Sequence, residues 1–304
     1  MHSLSVRRSV KHRLFYGGLL AVLVSYSQRG AAYWSQGLTM LQVYSLQRYP
    51  VKACLGESLK TAHLGASGIV GDRSYAICRG SKILTQRECP KLAQIKASCL
   101  READLRLTAP DTSPLDVDSA FESGSPTYSA SVFGADVAGI DQGDSAASWV
   151  SKVIGIEGCR LLKRSPRCRR QAVGFHWADI APLLVISDKS FEALAQSAGR
   201  MIETDRFRPN IIITGCSEPH AEDTWPKIEI DGVLLENVGP CARCSVIEVN
   251  QKKGVRDRSF SAYGALVAYR GQAVFGQYYQ PRLKRGSDEP PEQLGAGAEV
   301  KVIA

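Results

Sequence analysis

The chain has 304 residues, with 38 Lys and Arg against 30 Asp and Glu, a formal charge of +8, 44% apolar and 22% charged residues. This composition excludes a disordered or collagen-like chain and leaves room for two domains of ordinary size. The excess charge is partly local: residues 1–56 hold seven basic residues and no Asp or Glu, so a nucleic-acid stripe is not the first explanation, and a basic pocket for a phosphorylated ligand stays open.

The N-terminus reads first as a targeting or anchor segment over 1–38. "RRSVKHR" precedes "LFYGGLLAVLVSY", residues 14–26, an uncharged run of 13. That is short of the roughly 20 apolar residues of a relaxed membrane span. A secretory signal, a cleaved transit segment, a short retained anchor and a buried helix all stay open. From Leu41, "LQVYSLQRYP" alternates and predicts a strand ending at Pro50. Strands over 74–79 and 82–85 are joined by the hairpin signal "RGSK", and "ADLRLTAP" predicts another. Residues 110–147, rich in Ser, Asp, Gly and Ala, predict turns, short strands and a surface excursion. "SAASWVSKVIG" predicts a helix with Trp149, Val150, Val153 and Ile154 on one face.

In the second half "APLLVIS" predicts a strand to Ile186, followed by a helix capped by Ser187 or Asp188 with Phe191, Leu194 and Ala195 inward. "NIIITG" predicts a strand buried on both faces. "WPKIEIDGVLLENVGP" predicts a strand, a turn and a strand, and "RCSVIEVN", "AVFGQYYQP" and "AEVKVIA" predict three more. The sum is a mainly β, α+β chain.

Three clusters could carry chemistry. "GPCARCSV" places Cys241 and Cys244 around Arg243. A structural zinc needs four ligands, and no second CxxC or histidine pair supplies them. A redox dithiol usually opens a helix, whereas β-branched residues follow here. Half-buried thiols in a turn are the plain alternative. "DRFRPN" sets Arg206 and Arg208 about Phe207 before Asn210; arginine forks bind phosphate or carboxylate, and a solvated charge run is the alternative. "YPVKAC" and "GDRSYAI" offer Lys52 and Arg73 to the same kind of anion, or to solvent. Glu222 and Asp223 of "HAEDTWP" are an acid/base pair or a surface turn, and Asp179 of "HWADIAP" stands at a strand entrance. Nine scattered cysteines, an odd number, favour a reducing compartment.

The order "YPVKAC … GDRSYAI … LTQRECP … DIAP … RFRPNIIITG … AEDTWPKIEIDGV … GPCARCSV … FGQYY" resembles the MOSC family, and within it the mitochondrial members that reduce amidoximes. The resemblance covers about residues 41–304. It implies a MOSC N-terminal β domain over 41–155 and a MOSC β-barrel domain with a few helices over 156–304. It implies a molybdenum–molybdopterin cofactor whose metal is held by Cys244, a soft thiolate suited to that metal, with Cys241 structural. Lys52, Ala53, Arg73, Asp179, Arg208, Asn210, Ala242, Arg243 and Tyr278 are implied around the pterin and its phosphate. Ala53 and Ala242 stand where the family often has a hydroxyl side chain. The implied activity is reduction of amidoximes, hydroxylamines and N-oxides, with a non-catalytic molybdopterin carrier or a sulfur carrier as the alternative. No cysteine follows Cys244, so the cysteine run of a fused iron–sulfur domain is missing. Electrons are then expected from cytochrome b5 and its NADH-dependent reductase. The implied location is the mitochondrial outer membrane, with the catalytic part facing the cytosol.

Overall fold

A computed structural model describes residues 40–100, 104–118, 127–132, 135–164, 180–283 and 292–304. The expected anchor and Asp179 lie outside these residues. Among the described residues no helix is long and apolar enough to cross a membrane. Strands dominate, as the sequence predicts, and the functional pocket sits over one large sheet.

That sheet has eight strands in the order Glu57–Leu59, Gln42–Arg48, Ile211–Thr214, Leu183–Ser187, Val274–Arg282, Val233–Ala242, Lys227–Ile230 and Val300–Ile303. Its central strands are apolar on both faces because both faces are covered. Leu183, Val185, Ile211 and Ile213 enter one core with Val43, Leu46 and Ile228. Leu184, Ile186 and Ile212 enter another with Phe191, Phe207, Phe275 and Leu266. Each such side chain contributes about 1.5–3 kcal/mol by burial. The pair Leu183–Ser187 and Ile211–Thr214 runs parallel, joined through the helix Asp188–Ser197, whose N-cap is Ser187 accepting from the Ser190 amide. Phe191 and Leu194 of that helix are buried and Ala195 is half-buried.

The part of the chain up to Arg164 builds a closed barrel from Thr127–Val132, Ala135–Asp141, Cys159–Arg164, Tyr75–Arg79 and Lys82–Ile83, the strand Cys159–Arg164 lying past the expected boundary at residue 155. The helix Gly143–Ile154 packs on its core through Val150 and Ile154, with Trp149 and Val153 partly buried beside them. The two halves are not separate bodies. Gln42–Arg48 pairs antiparallel with Ile211–Thr214, and Thr39–Ala304 forms one compact unit.

One expected strand is corrected. "SVIEV" does not leave the cysteine motif as a strand: Ser245–Glu248 is a short helical turn and only Val249–Asn250 is extended. Tertiary contacts override the β-branched propensity. Ile247 is buried, its carbonyl accepts from Arg206 Nη1 at 3.3 Å, and Glu248 accepts from Ser261 Oγ and the Tyr263 amide. A helix at Ala262–Arg270 also appears that periodicity does not announce. Its signals are the Ser261 cap and Gly271 in the left-handed conformation at its end.

Gly276 shows how closely the sheet is packed under the pocket. Its φ is +82°, and a Cβ there would lie 2.5 Å from Ile186 Cγ1 and 2.9 Å from the Val185 carbonyl oxygen. Gly276→Ala is expected to cost about 2–4 kcal/mol, read as a lower urea midpoint. An unchanged midpoint would contradict this packing.

Candidate functional site

The pocket opens where the barrel half meets the large sheet. Lys52, Ala53, Arg73, Thr85, Gln86 and Arg87 line it from the first half; Arg208, Asn210, Ala242, Arg243, Cys244 and Tyr278 line it from the second. Ala181, Leu184, Phe207, Cys241, Val246 and Ile247 complete the wall. Every described residue that the sequence singled out for cofactor contact therefore reaches one cavity. The described lining holds five cationic side chains, Lys52, Arg73, Arg87, Arg208 and Arg243, and no carboxylate.

Backbone geometry turns three of these residues inward. Six non-glycine residues among those described have positive φ, and three of them, Ala53 (66°), Arg73 (48°) and Arg208 (56°), line the pocket. Each left-handed residue costs roughly 1–2 kcal/mol, so the surroundings must enforce the shape. Gln86 Nε2 donates to the Ala53 carbonyl at 2.7 Å. The Arg73 amide donates to the Tyr49 carbonyl at 2.8 Å. Arg208 Nη1 donates to the Cys54 carbonyl at 2.5 Å.

Tyr49 and Asn210 tie the two arginines together. The guanidinium of Arg208 lies 4.3 Å, and that of Arg73 4.5 Å, from the centre of the Tyr49 ring, contacts worth about 0.5–2 kcal/mol each. Tyr49 Oη donates to the Pro209 carbonyl at 3.1 Å, and burial pushes its hydroxyl up to about 12. Asn210, buried, accepts from Arg73 Nη1 at 3.0 Å and donates to the Gln47 carbonyl and Asp72. Asp72 pairs with Arg73 and accepts from the Tyr49 amide. Arg208 is held below the usual guanidinium value, first by burial and then by the charge of Arg73. A cleft lined by so many cationic side chains favours an anionic ligand.

The cysteine motif divides its labour. Cys241 is buried at the end of the Val233–Ala242 strand, and its Sγ accepts from Arg243 Nη1 at 2.9 Å. Arg243 Nη2 donates to the Phe207 carbonyl at 2.7 Å, leaving Nε buried and without a partner. Arg243 therefore faces Cys241 rather than bonding the thiol that follows it. Cys244 is exposed in the pocket wall, at the cap of the Ser245–Glu248 turn. Among the described residues no group of three or more His, Cys, Asp or Glu side chains gathers to hold a metal; Cys244 offers a single soft ligand.

"RFRPN" works as a unit. Arg206, 1% exposed, pairs with Glu203 and Asp257 and reaches the Ile247 carbonyl, so it braces the turn after Cys244. Phe207 supplies core packing and the carbonyl that fixes Arg243, and Arg208 and Asn210 line the cavity. Sequence reasoning missed Gln86. It exchanges two hydrogen bonds with Gln251, at 2.9 and 2.8 Å, and closes the pocket across the two halves. Glu222 and Asp223 do not reach the pocket. Glu222 accepts from the Ser187 amide and Ser190 Oγ, and Asp223 binds Arg270 and Gln277. They are structural.

Residues 40–157 match the MOSC N-terminal beta barrel domain and residues 173–301 match the MOSC domain. The chain belongs to the MOSC family. Its relatives include mitochondrial amidoxime-reducing component 1 of Mus musculus, 31% identical over 78% of this chain and 77% of that one. Mitochondrial amidoxime reducing component 2 of Homo sapiens is 30% identical over 71% of this chain and 69% of that one. The molybdenum cofactor sulfurase of Oryza sativa is 28% identical over 78% of this chain but 32% of its own length.

Thiol accessibility tests the site's geometry in this MOSC protein. Burial pushes the Cys54 and Cys216 thiols up to about 12, and Cys241 is enclosed. Iodoacetamide at about pH 8 is expected to label Cys244 at least roughly tenfold faster than these three, read by peptide mass mapping. Equal labelling of Cys241 and Cys244 would refute the division of roles.

Proposed function

We propose that the chain is a molybdenum-cofactor-dependent reductase of N-hydroxylated compounds, taking electrons from a separate cytochrome b5 system. One observation carries the reading: a cleft whose described lining gathers five cationic side chains, walled on one side by a single exposed thiol. That donor set fits molybdopterin, whose phosphate is anionic and whose metal accepts a soft thiolate. The buried, unpartnered Nε of Arg243 adds a donor in want of an acceptor. The family match and the amidoxime-reducing relatives support the same cofactor, and their mitochondrial names support a mitochondrial location; attachment to the outer membrane through residues 1–38, facing the cytosol, is proposed with it.

Each residue then has a task. Lys52, Arg73 and Arg208 would neutralise the phosphate, held in place by Tyr49, Asp72 and Asn210. Arg243, fixed by Phe207 and Cys241, would lie beside the pterin, with Ala53, Ala242 and Tyr278 alongside. Cys244 would bind the metal as thiolate. When bound, the cofactor supplies two-electron exchange at the N–O bond. Leu184, Ala181, Val246 and Tyr278 give the pocket a partly apolar wall, against which the body of an N-hydroxylated substrate would pack.

The decisive assay supplies benzamidoxime, NADH, cytochrome b5 and its reductase to protein made in a cofactor-producing host. Benzamidine is expected from the wild type, falling at least about a hundredfold in Cys244→Ser. Bound molybdenum without benzamidine would sink the reductase reading and favour a carrier. Full activity in Cys244→Ser would refute the ligand assignment.

A further inference from the structure

Four cations fall within seven residues beside the pocket: Lys252, Lys253, Arg256 and Arg258, all exposed. None forms an ion pair among the described residues. Elsewhere basic side chains commonly find carboxylates, as Arg48 does with Glu57, Arg106 with Asp116, Lys189 with Glu192 and Arg282 with Glu236. The carboxylates nearest in sequence are already committed. Asp257 accepts from Arg206 and Ser259, and Glu248 accepts from Ser261 and Tyr263. Lys252 also acts on the Asp205 carboxylate, while Lys253, Arg256 and Arg258 project their charge outward.

It is also held rigidly against the pocket wall. Val249–Asn250 and Val255–Arg256 pair as a short hairpin. Gln251 is locked to Gln86, and Arg256 Nη2 donates to the Arg87 carbonyl at 3.0 Å; Gln86 and Arg87 both line the cavity. Gly254 lies against the Gln94 side chain, where a Cβ would come within 2.7 Å. Val255, 50% exposed, places an apolar contact among the charges. A fixed basic patch with a small apolar centre suits a weak, fast protein encounter steered by charge, of the limited area typical of redox complexes.

We propose that this hairpin is the docking surface for an acidic electron-carrier protein. The inference rests on the reductase reading, whose overall step is RC(NH2)=NOH + 2 e⁻ + 2 H⁺ → RC(NH2)=NH + H2O. The N–O bond breaks, the oxygen leaves as water, and a one-electron carrier delivers two electrons in succession. Those electrons come from outside the pocket, and a charged rim fastened to its wall offers a carrier a resting place beside it.

The test compares the full-length, cofactor-loaded wild type with the charge-reversal variant K252E/K253E/R258E, none of whose positions lines the pocket. The soluble domain of cytochrome b5 is the donor, and reduced methyl viologen is the small-molecule control. The variant is expected to raise KM for the donor roughly tenfold at low ionic strength, leaving KM for benzamidoxime and the viologen-driven rate unchanged. In the wild type, added salt raises the donor KM in the same way. A donor KM unaffected by the reversal overturns the proposal. So does loss of binding to phosphatidylserine vesicles with donor KM intact, which would assign the patch to a membrane. If neither reductant yields benzamidine, the reductase reading fails on its own. The surface is then read by titrating cytochrome b5 against both proteins: weaker binding to the variant upholds it, and equal or absent binding overturns it.

Discussion

The gathering of positive charge in a half-buried cleft is the constraint on which the rest depends. Arg73 and Arg208 both approach the ring of Tyr49, and Asp72 is the carboxylate that pairs with Arg73. Like charges held so close repel, and partial burial adds a desolvation cost. The fold meets both with fixed acceptors: the carbonyls of Cys54 and Arg208, the amide oxygen of Asn210 and the face of Tyr49. The left-handed backbone at Ala53, Arg73 and Arg208 belongs to the same arrangement.

The architecture follows from that need. The charges come from both halves of the chain, so the halves share a sheet through Gln42–Arg48 and Ile211–Thr214. They are clasped again by Gln86 and Gln251 at the cavity's edge. Arg206 does the equivalent for the thiol side by holding the turn that follows Cys244. A MOSC domain without its N-terminal partner would lack Lys52 and Arg73, and a barrel alone would lack the thiol.

Much of this was legible in short stretches of sequence. Alternation and apolar runs announced most of the large sheet, and "NIIITG" was readable as doubly buried because three isoleucines follow one another without a polar residue between them. "RFRPN", "YPVKAC" and "GDRSYAI" offered cationic side chains to an anion or to solvent by residue type alone, and it was their order along the chain, through the family resemblance, that put them in one place. What stayed hidden depends on partners far away in the chain. Gln86 and Gln251 are 165 residues apart, and nothing in "LTQRE" or "VNQKK" predicts their pairing. "SVIEV" has strand propensity, yet Arg206 and the burial of Ile247 fold it into a turn. Glu222 and Asp223 look like acid/base chemistry by residue type alone; their partners, Ser187, Ser190, Arg270 and Gln277, make them structural.

The central claim is that paired arginines from the two halves hold an anionic, molybdenum-bearing cofactor over Cys244. Molybdenum per chain, measured by mass spectrometry on wild type and on Arg73→Gln/Arg208→Gln from a cofactor-producing host, tests it most directly. With circular dichroism confirming that both proteins fold, the account predicts about one molybdenum per chain in the wild type and below about a tenth in the double variant. A folded wild type without molybdenum, or a double variant that keeps it, would contradict the account.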